Sequence, residues 1–106
     1  MSESGFTRVA SLADLAEGGL QAVQLNGNEI LLCHTAEGVY AVDNLCTHGA
    51  ARLCDGKLKG HRVLCPMHGG AFDVRDGSAL SRPAVQPLAS YDVRIEGDDI
   101  LLALPE

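Results

Sequence analysis

The sequence predicts an all-β protein, an antiparallel sandwich or small barrel. Eight short segments have the composition of strands, and turn residues separate them. The clearest segment is 91–96, in which Tyr91, Val93 and Ile95 alternate with charged residues, as a half-buried antiparallel strand requires. We expect these three side chains to face the interior of the fold.

The predicted strands follow one another through short turns. Asn26-Gly27-Asn28 indicates a hairpin, because Asn and Gly tolerate positive φ. Glu37-Gly38 and the segment 96–99 mark two further turns. The predicted strands are Phe6–Ala10, Gln21–Leu25, Ile30–Thr35, Val39–Asp43, Arg62–Leu64, Ala71–Val74, Tyr91–Glu96 and Ile100–Leu104.

One segment, 11–18, has a helical pattern, with Ser11 as a candidate N-cap and Gly18 as its terminator. Glycines are concentrated at positions 49, 56, 60, 69 and 70, between segments that have strand patterns. Residues 44–74 are therefore predicted to form a lobe inserted into a larger β base. A chain of 106 residues without a repeat or linker is expected to form a single domain, 1–106.

Two pairs of ligand-type residues lie in this lobe. Cys46 and His48 form the first pair and Cys65 and His68 the second, so each pair offers one thiolate and one imidazole. The set suits either one tetrahedral Zn²⁺ or a [2Fe–2S] cluster in which two Cys bind one iron and two His the other. The order along the chain favours the cluster, because zinc modules usually present Cys with Cys and His with His.

Cys-x-His followed by Cys-x2-His, with Gly49 after the first pair and Gly-Gly-Ala-Phe-Asp at 69–73 after the second, resembles the Rieske iron–sulfur proteins. The strongest part of the resemblance covers 46–73, and a weaker match in length and strand pattern covers nearly the whole chain. The chain looks most like the small Rieske-type ferredoxins that serve bacterial oxygenases acting on aromatic rings. The resemblance implies a Rieske-like β base with an inserted lobe of two ligand loops. It also implies one [2Fe–2S] cluster held by Cys46, His48, Cys65 and His68.

The expected function is electron transfer. A ligand set that fills every position on both irons leaves no open site for a substrate, so we do not expect an enzyme. The resemblance implies that electrons pass from a flavin-dependent NAD(P)H reductase to a terminal ring-hydroxylating oxygenase. Two alternatives stay open: a zinc-stabilised interaction module, and a Rieske subunit of a nitrite-reductase-like complex.

The remaining cysteines and histidines are predicted to be structural. Cys33 and His34 are neighbours in a strand, so their side chains point to opposite faces and cannot chelate one ion together. We expect Cys33 to be buried and His34 to face outward or to form a hydrogen bond. Cys54 is expected to be a structural thiol near the cluster, and His61 a surface residue. The resemblance gives the proline-containing loop 83–87 a shielding role over the cluster, and the alternative is an ordinary connection to the strand at Tyr91.

Charge is unevenly distributed along the chain. Residues 44–75 include five basic and two acidic side chains, a net charge of +3, whereas the whole chain carries −6. A basic lobe on an acidic body could orient the approach of a partner, and the alternative is a solvated surface with no dedicated partner patch. The acidic total argues against nucleic-acid binding. The N-terminus has no basic or apolar run, and no stretch approaches the roughly 20 apolar residues that cross a bilayer. We therefore expect a cytoplasmic monomer with no membrane partner.

Overall fold

The computed structural model describes residues 5–45, 51–66, 70–81 and 86–103. Within these ranges the chain forms ten short strands and two 3₁₀ segments. The strands are β1 (Phe6–Ser11), β2 (Leu20–Leu25), β3 (Asn28–Thr35), β4 (Gly38–Asp43), β5 (Lys57–Lys59), β6 (Arg62–Leu64), β7 (Ala71–Asp73), β8 (Ala79–Ser81), β9 (Ser90–Glu96) and β10 (Asp99–Ala103). The 3₁₀ segments are Leu12–Asp14 and Leu53–Asp55.

The strands form two antiparallel sheets. The larger sheet has six strands in the order β1-β10-β9-β4-β3-β2, and its two edge strands contact each other, so it nearly closes into a barrel. The smaller sheet has the order β5-β6-β7-β8; it begins after the first ligand pair, and its strands β6 and β7 flank the second. The predicted antiparallel all-β fold is confirmed. The smaller sheet also includes β8, which lies beyond the predicted lobe at 44–74.

The first hairpin forms where the sequence predicts it. Leu25 pairs with Asn28, which leaves a two-residue turn in which φ is 54° at Asn26 and 83° at Gly27. Positive φ at both turn residues is the geometry of a type I′ turn, whose twist matches that of the flanking strands. The turns at 36–37, 60–61 and 97–98 also join strands paired in two-residue hairpins.

Strand β3 is buried on both faces, which explains its long apolar run. Ile30 and Leu32 face a barrel core, whereas Leu31 and Cys33 face an intersheet core between the two sheets. The barrel core comprises Ala10, Leu15, Ile30, Leu32, Ala41, Ile100 and Leu102. The intersheet core comprises Leu31, Cys33, Val42, Leu53, Val63, Cys65, Phe72, Val74 and Leu88.

The helix predicted at 11–18 is wrong beyond its first turn. The Ser11 hydroxyl does cap that turn, accepting a hydrogen bond from the Ala13 N–H at 3.2 Å. The chain then leaves the helical path, because the Gly18 N–H donates to the His34 carbonyl at 2.7 Å and Gly18 has a φ of +88°. Hydrogen bonds to the neighbouring strand β3 replace those that a helix would need.

Three further details differ from the sequence-based predictions. Strands β5 and β8 were not predicted, and each is only three residues long. Tyr91 and Val93 contact the barrel core as predicted, but Ile95 is 42% exposed. Ile95 lies near the end of β9 and pairs with Ile100, which is fully buried in the barrel core.

Candidate metal centre

The first ligand pair belongs to a loop whose two ends lie side by side. Leu45 and Arg52 form an isolated antiparallel bridge, so the chain leaves β4 and returns to nearly the same place. Cys46 and His48 lie between these two residues and outside the described ranges. The described flanks therefore form the closed base of the first ligand loop.

Asn44 ties this base together and was missed by the sequence analysis. Its side chain is fully buried. The Oδ1 atom accepts a hydrogen bond from the Cys54 N–H at 2.8 Å, and Nδ2 donates to Cys54 Sγ at 3.4 Å. The Asn44 carbonyl also accepts from the Leu53 N–H at 2.7 Å. The one signal in the sequence was the position of Asn44, an amide residue between the end of an apolar strand and the first ligand pair.

The second ligand loop is closed by the β6–β7 hairpin. Leu64 pairs with Ala71, and the Cys65 N–H donates to the Gly70 carbonyl at 2.7 Å. Cys65 is the one predicted ligand within the described ranges, and it is only 4% exposed. His68 lies outside those ranges, between Cys65 and Gly70.

The two loop bases are in contact with each other. Gly56 follows the first loop, and a Cβ atom built on it would lie 1.9 Å from the carbonyl oxygen of Leu64, the residue before Cys65. Only glycine permits this approach. Leu53 and Cys65 also belong to the same intersheet core. The fold therefore brings together the segments that carry the two ligand pairs.

Asp73, the acidic end of the second motif, has a structural role. Arg75 donates to Oδ1 from Nε at 3.0 Å and to Oδ2 from Nη2 at 2.8 Å, and its backbone N–H donates to Oδ1 at 2.9 Å. These hydrogen bonds hold the pKa of the buried Asp73 carboxyl below its usual value. The paired carboxylate stabilises the turn after β7.

The proline-containing loop 83–87, here called the third loop, is followed by residues that are hydrogen-bonded to both halves of the fold. Pro83, Ala84 and Val85 lie outside the described ranges, so the predicted shielding of the cluster by 83–87 stays a prediction. Downstream, the Leu88 N–H donates to the Gly77 carbonyl at 2.7 Å, and the Asp43 N–H donates to the Ala89 carbonyl at 2.9 Å. Tyr91 adds a link by donating its hydroxyl to Asp43 Oδ1.

The structure agrees with the predictions for Cys33, His34 and His61, whereas the closeness of Cys54 to the cluster stays a prediction. Cys33 is fully buried, and burial raises the pKa of its thiol to about 12, so it stays protonated near neutral pH. His34 Nδ1 lies 2.8 Å from the Leu15 carbonyl oxygen, to which it donates when protonated there. The His61 side chain is 43% exposed, and Cys54 is a half-buried free thiol.

The donor set fits an iron–sulfur cluster. Two thiolates and two imidazoles match the ligands of a cluster with two Cys on one iron and two His on the other. No competing set was found: within residues 5–45, 51–66, 70–81 and 86–103, no group of three or more His, Cys, Asp and Glu side chains is placed to hold a metal ion. A closed base under each loop suits a centre that draws ligands from both.

This chain is similar in sequence to known iron–sulfur proteins. The model of the Rieske [2Fe-2S] domain family matches residues 5–92. The ferredoxin component of the naphthalene 1,2-dioxygenase/salicylate 5-hydroxylase systems of Ralstonia sp. is 45% identical over 95 residues, which cover 90% of this chain and 91% of that protein.

Two solved structures are similar along nearly their whole length. The ferredoxin of carbazole 1,9a-dioxygenase from Nocardioides aromaticivorans IC177 matches with a TM-score of 0.90 and 38% identity, covering 94% of this chain and 98% of that one. A second match lies in a complex of reduced oxygenase and oxidized ferredoxin in carbazole 1,9a-dioxygenase. Its TM-score is 0.87 with 30% identity, covering 95% of this chain and 94% of that one.

Proposed function

This chain belongs to the Rieske [2Fe–2S] family, and we propose that it is the one-electron carrier of a multicomponent dioxygenase that acts on aromatic rings. It binds one Rieske-type [2Fe–2S] cluster. It receives electrons from a flavin-dependent NAD(P)H reductase and delivers them to a terminal ring-hydroxylating oxygenase. It is an electron-transfer component and catalyses no reaction on the aromatic substrate.

One structural observation carries the proposal: both ligand-bearing loops have closed bases, and the two bases touch through Gly56 and Leu64. Cys46 and Cys65 would hold one iron as thiolates, and His48 and His68 would hold the other through ring nitrogens. When bound, the cluster supplies a centre that accepts and returns one electron. The lobe at about 44–74 would be the cluster-binding part of a single domain, 1–106.

The chain's own residues contribute rigidity and exclusion of water. Cys65 is almost fully buried and belongs to the intersheet core together with Val63 and Phe72, so water has little access to its sulfur from that side. Backbone hydrogen bonds close the base of the second loop, and the Asn44 side chain fastens the first. A held ligand set limits the structural change that must accompany each gain or loss of an electron.

The proposed partners follow from the relatives. The similar ferredoxin in the carbazole 1,9a-dioxygenase complex is bound to its oxygenase, which supports an oxygenase as the electron acceptor here. A flavoprotein reductase is the donor that such a carrier needs. No helix in the described ranges is long and apolar enough to cross a membrane. We place the carrier in the cytoplasm as a monomer, where NAD(P)H is available to its reductase.

A reconstitution experiment tests this function. We expect the purified protein to absorb visible light, to bleach when NAD(P)H and catalytic reductase are added, and to regain its colour when the oxidised oxygenase is mixed in. A colourless protein containing zinc would contradict the proposal, because Zn²⁺ is d¹⁰ and takes no electron. A coloured protein that the oxygenase cannot reoxidise would contradict the partner assignment alone.

The tie between Asn44 and Cys54 gives a further prediction. Asn44→Ala removes both side-chain hydrogen bonds and leaves the Cys54 N–H without its acceptor, so it should lower the free energy of unfolding by about 2–3 kcal/mol. It should also accelerate the release of iron to a chelator, because the base of the first ligand loop is no longer fastened. Iron release is followed by the loss of visible absorption.

Thr35→Ala is the matched control. Thr35 is also buried, and its hydroxyl donates to the Gly38 carbonyl and accepts from the Glu37 N–H, but it ends β3 at the β3–β4 turn. We expect a similar loss of stability with little change in iron release. If both variants release iron equally fast, Asn44 acts through global stability and has no specific effect on the ligand loop.

A further inference from the structure

Cations in the described part of the chain fall into two groups. Arg8, Arg52, Arg75 and Arg94 each lie within 4.0 Å of a carboxylate oxygen. Lys57, Lys59 and Arg62 have no carboxylate within that distance among the described residues, and all three belong to the β5–β6 hairpin. The unpaired positive charge of the described chain is therefore concentrated on one hairpin.

The three side chains share the outer face of that hairpin. Leu58 pairs with Val63, and both contact the intersheet core, so the residues on either side of them point away from it. Lys57, Lys59 and Arg62 are all exposed. We call these three residues the cationic face.

The cationic face carries an electrostatic cost that no carboxylate in the described part of the chain offsets. Lys59 lies directly opposite Arg62 in the strand pairing, and like charges in such a pair are destabilising. Asp73 pairs with Arg62 on the other side, but Arg75 already occupies both of its carboxylate oxygens. Positive charge that the described residues do not neutralise remains available to a partner.

The position of the face connects it to electron transfer. Strand β6 ends at Leu64, immediately before the predicted ligand Cys65, and Lys57 lies opposite Leu64. A protein seated on this face would lie beside the base of the second ligand loop. Since the remainder of the chain is strongly acidic, the face is also a distinct positive region on a negative body.

We infer that the cationic face is the docking surface for an acidic patch on the terminal oxygenase. The inference rests on the proposed function, because it takes the oxygenase to be the electron acceptor. Complementary charge would steer encounter and fix orientation, so it would act mainly on the association rate and would weaken as salt is added.

Two double variants with the same net charge test this inference. Lys57→Gln/Lys59→Gln removes two charges from the face, and Arg8→Gln/Arg94→Gln removes two from the larger sheet. The holoproteins are reduced and mixed with the cognate oxygenase, and the electron-transfer rate is measured across ionic strengths. Salt-dependent binding of the oxidised proteins to the oxygenase is measured in parallel, after the visible spectra confirm equal cluster content.

We expect the hairpin variant to transfer electrons about tenfold more slowly than the wild type at low ionic strength, with a flatter salt dependence and weaker binding. The Arg8/Arg94 control should stay within about twofold of the wild type. Equal effects in the two variants would mean that only net charge matters and would overturn the inference. A faster hairpin variant would mean that the oxygenase presents a basic surface to this face, and that result would also overturn the inference.

Failure of the proposed function has a different signature. If the wild type binds the oxygenase in a salt-dependent way that requires Lys57 and Lys59 but never reduces it, the face is supported and the carrier function is not. If the wild type reduces the oxygenase and binding is the same in the hairpin and control variants, the carrier function is supported. The cationic face is then excluded as the docking surface.

Discussion

Replacing Cys65 with alanine is expected to leave the protein without its cluster. Iron per chain should fall by roughly tenfold or more, because loss of even an outer partner of a ligand typically weakens metal binding by one to two orders of magnitude. The reduced protein should lack the EPR signal of a Rieske centre. Cys46→Ala, His48→Ala and His68→Ala should give the same result, since each removes one proposed ligand.

Cys33→Ala is the matched control for Cys65→Ala. Both thiols are buried in the intersheet core, at 0% and 4% exposure, so the two truncations should cost a similar amount of packing energy, about 1 kcal/mol or more. Cys33→Ala should keep its full iron content and EPR signal, as should Cys54→Ser. A Cys65→Ala protein with a normal EPR spectrum would remove the ligand assignment. Loss of iron from Cys33→Ala would show that lost packing in the intersheet core is enough to release the cluster.

The second large effect is expected at Gly77, which lies between β7 and β8. Gly77 has a φ of +83°, and a Cβ atom built on it would lie 2.1 Å from the carbonyl oxygen of Leu88. Gly77→Ala should therefore displace the segment after the third loop and break the hydrogen bond from the Leu88 N–H to the Gly77 carbonyl. We expect a loss of about 4 kcal/mol or more, which corresponds to a drop of roughly 20 °C in melting temperature.

Gly27→Ala separates the steric clash from the backbone strain. Gly27 has the same φ of +83°, but nothing lies within 4 Å of its Cβ position. Its cost should be the left-handed backbone penalty alone, about 1–2 kcal/mol, or roughly 5–10 °C. Both variants are heated at the same rate with equal cluster content. Similar melting temperatures would show that the segment containing Leu88 moves away from the added Cβ atom at little cost in free energy. Gly77 would then be needed for its φ alone.

The sequence alone predicts the candidate ligands, because the signals for them are local. The two ligand pairs are recognised by residue type and spacing within a few positions, and neither depends on the rest of the fold. The same holds for the hairpin at Asn26-Gly27, where two residues set the turn type. Burial of Cys33 followed from its place in an apolar strand.

The residues that hold the bases of the two ligand loops could not be predicted from such local signals. Asn44 acts on Cys54 ten residues away, and Gly56 is needed because Leu64 approaches it from another strand. Neither residue differs from an ordinary loop residue until its partner is known. The segment 11–18 illustrates the same limit, since its helical pattern gives way to hydrogen bonds with His34 of β3.

The sequence by itself determined that this is an all-β protein with two Cys–His pairs suited to a Rieske cluster. It could do so because strand alternation, turn residues and ligand spacing each involve residues that are close together in the sequence. Only the tertiary structure decided that Lys57–Lys59 and Ala79–Ser81 are strands and that the bases of both ligand loops meet. It also decided that three cations with no carboxylate partner among the described residues share one face. A three-residue strand carries too little periodicity to be recognised, and its register comes from partners distant in the chain. Pairing and burial between such distant segments are set by the fold as a whole.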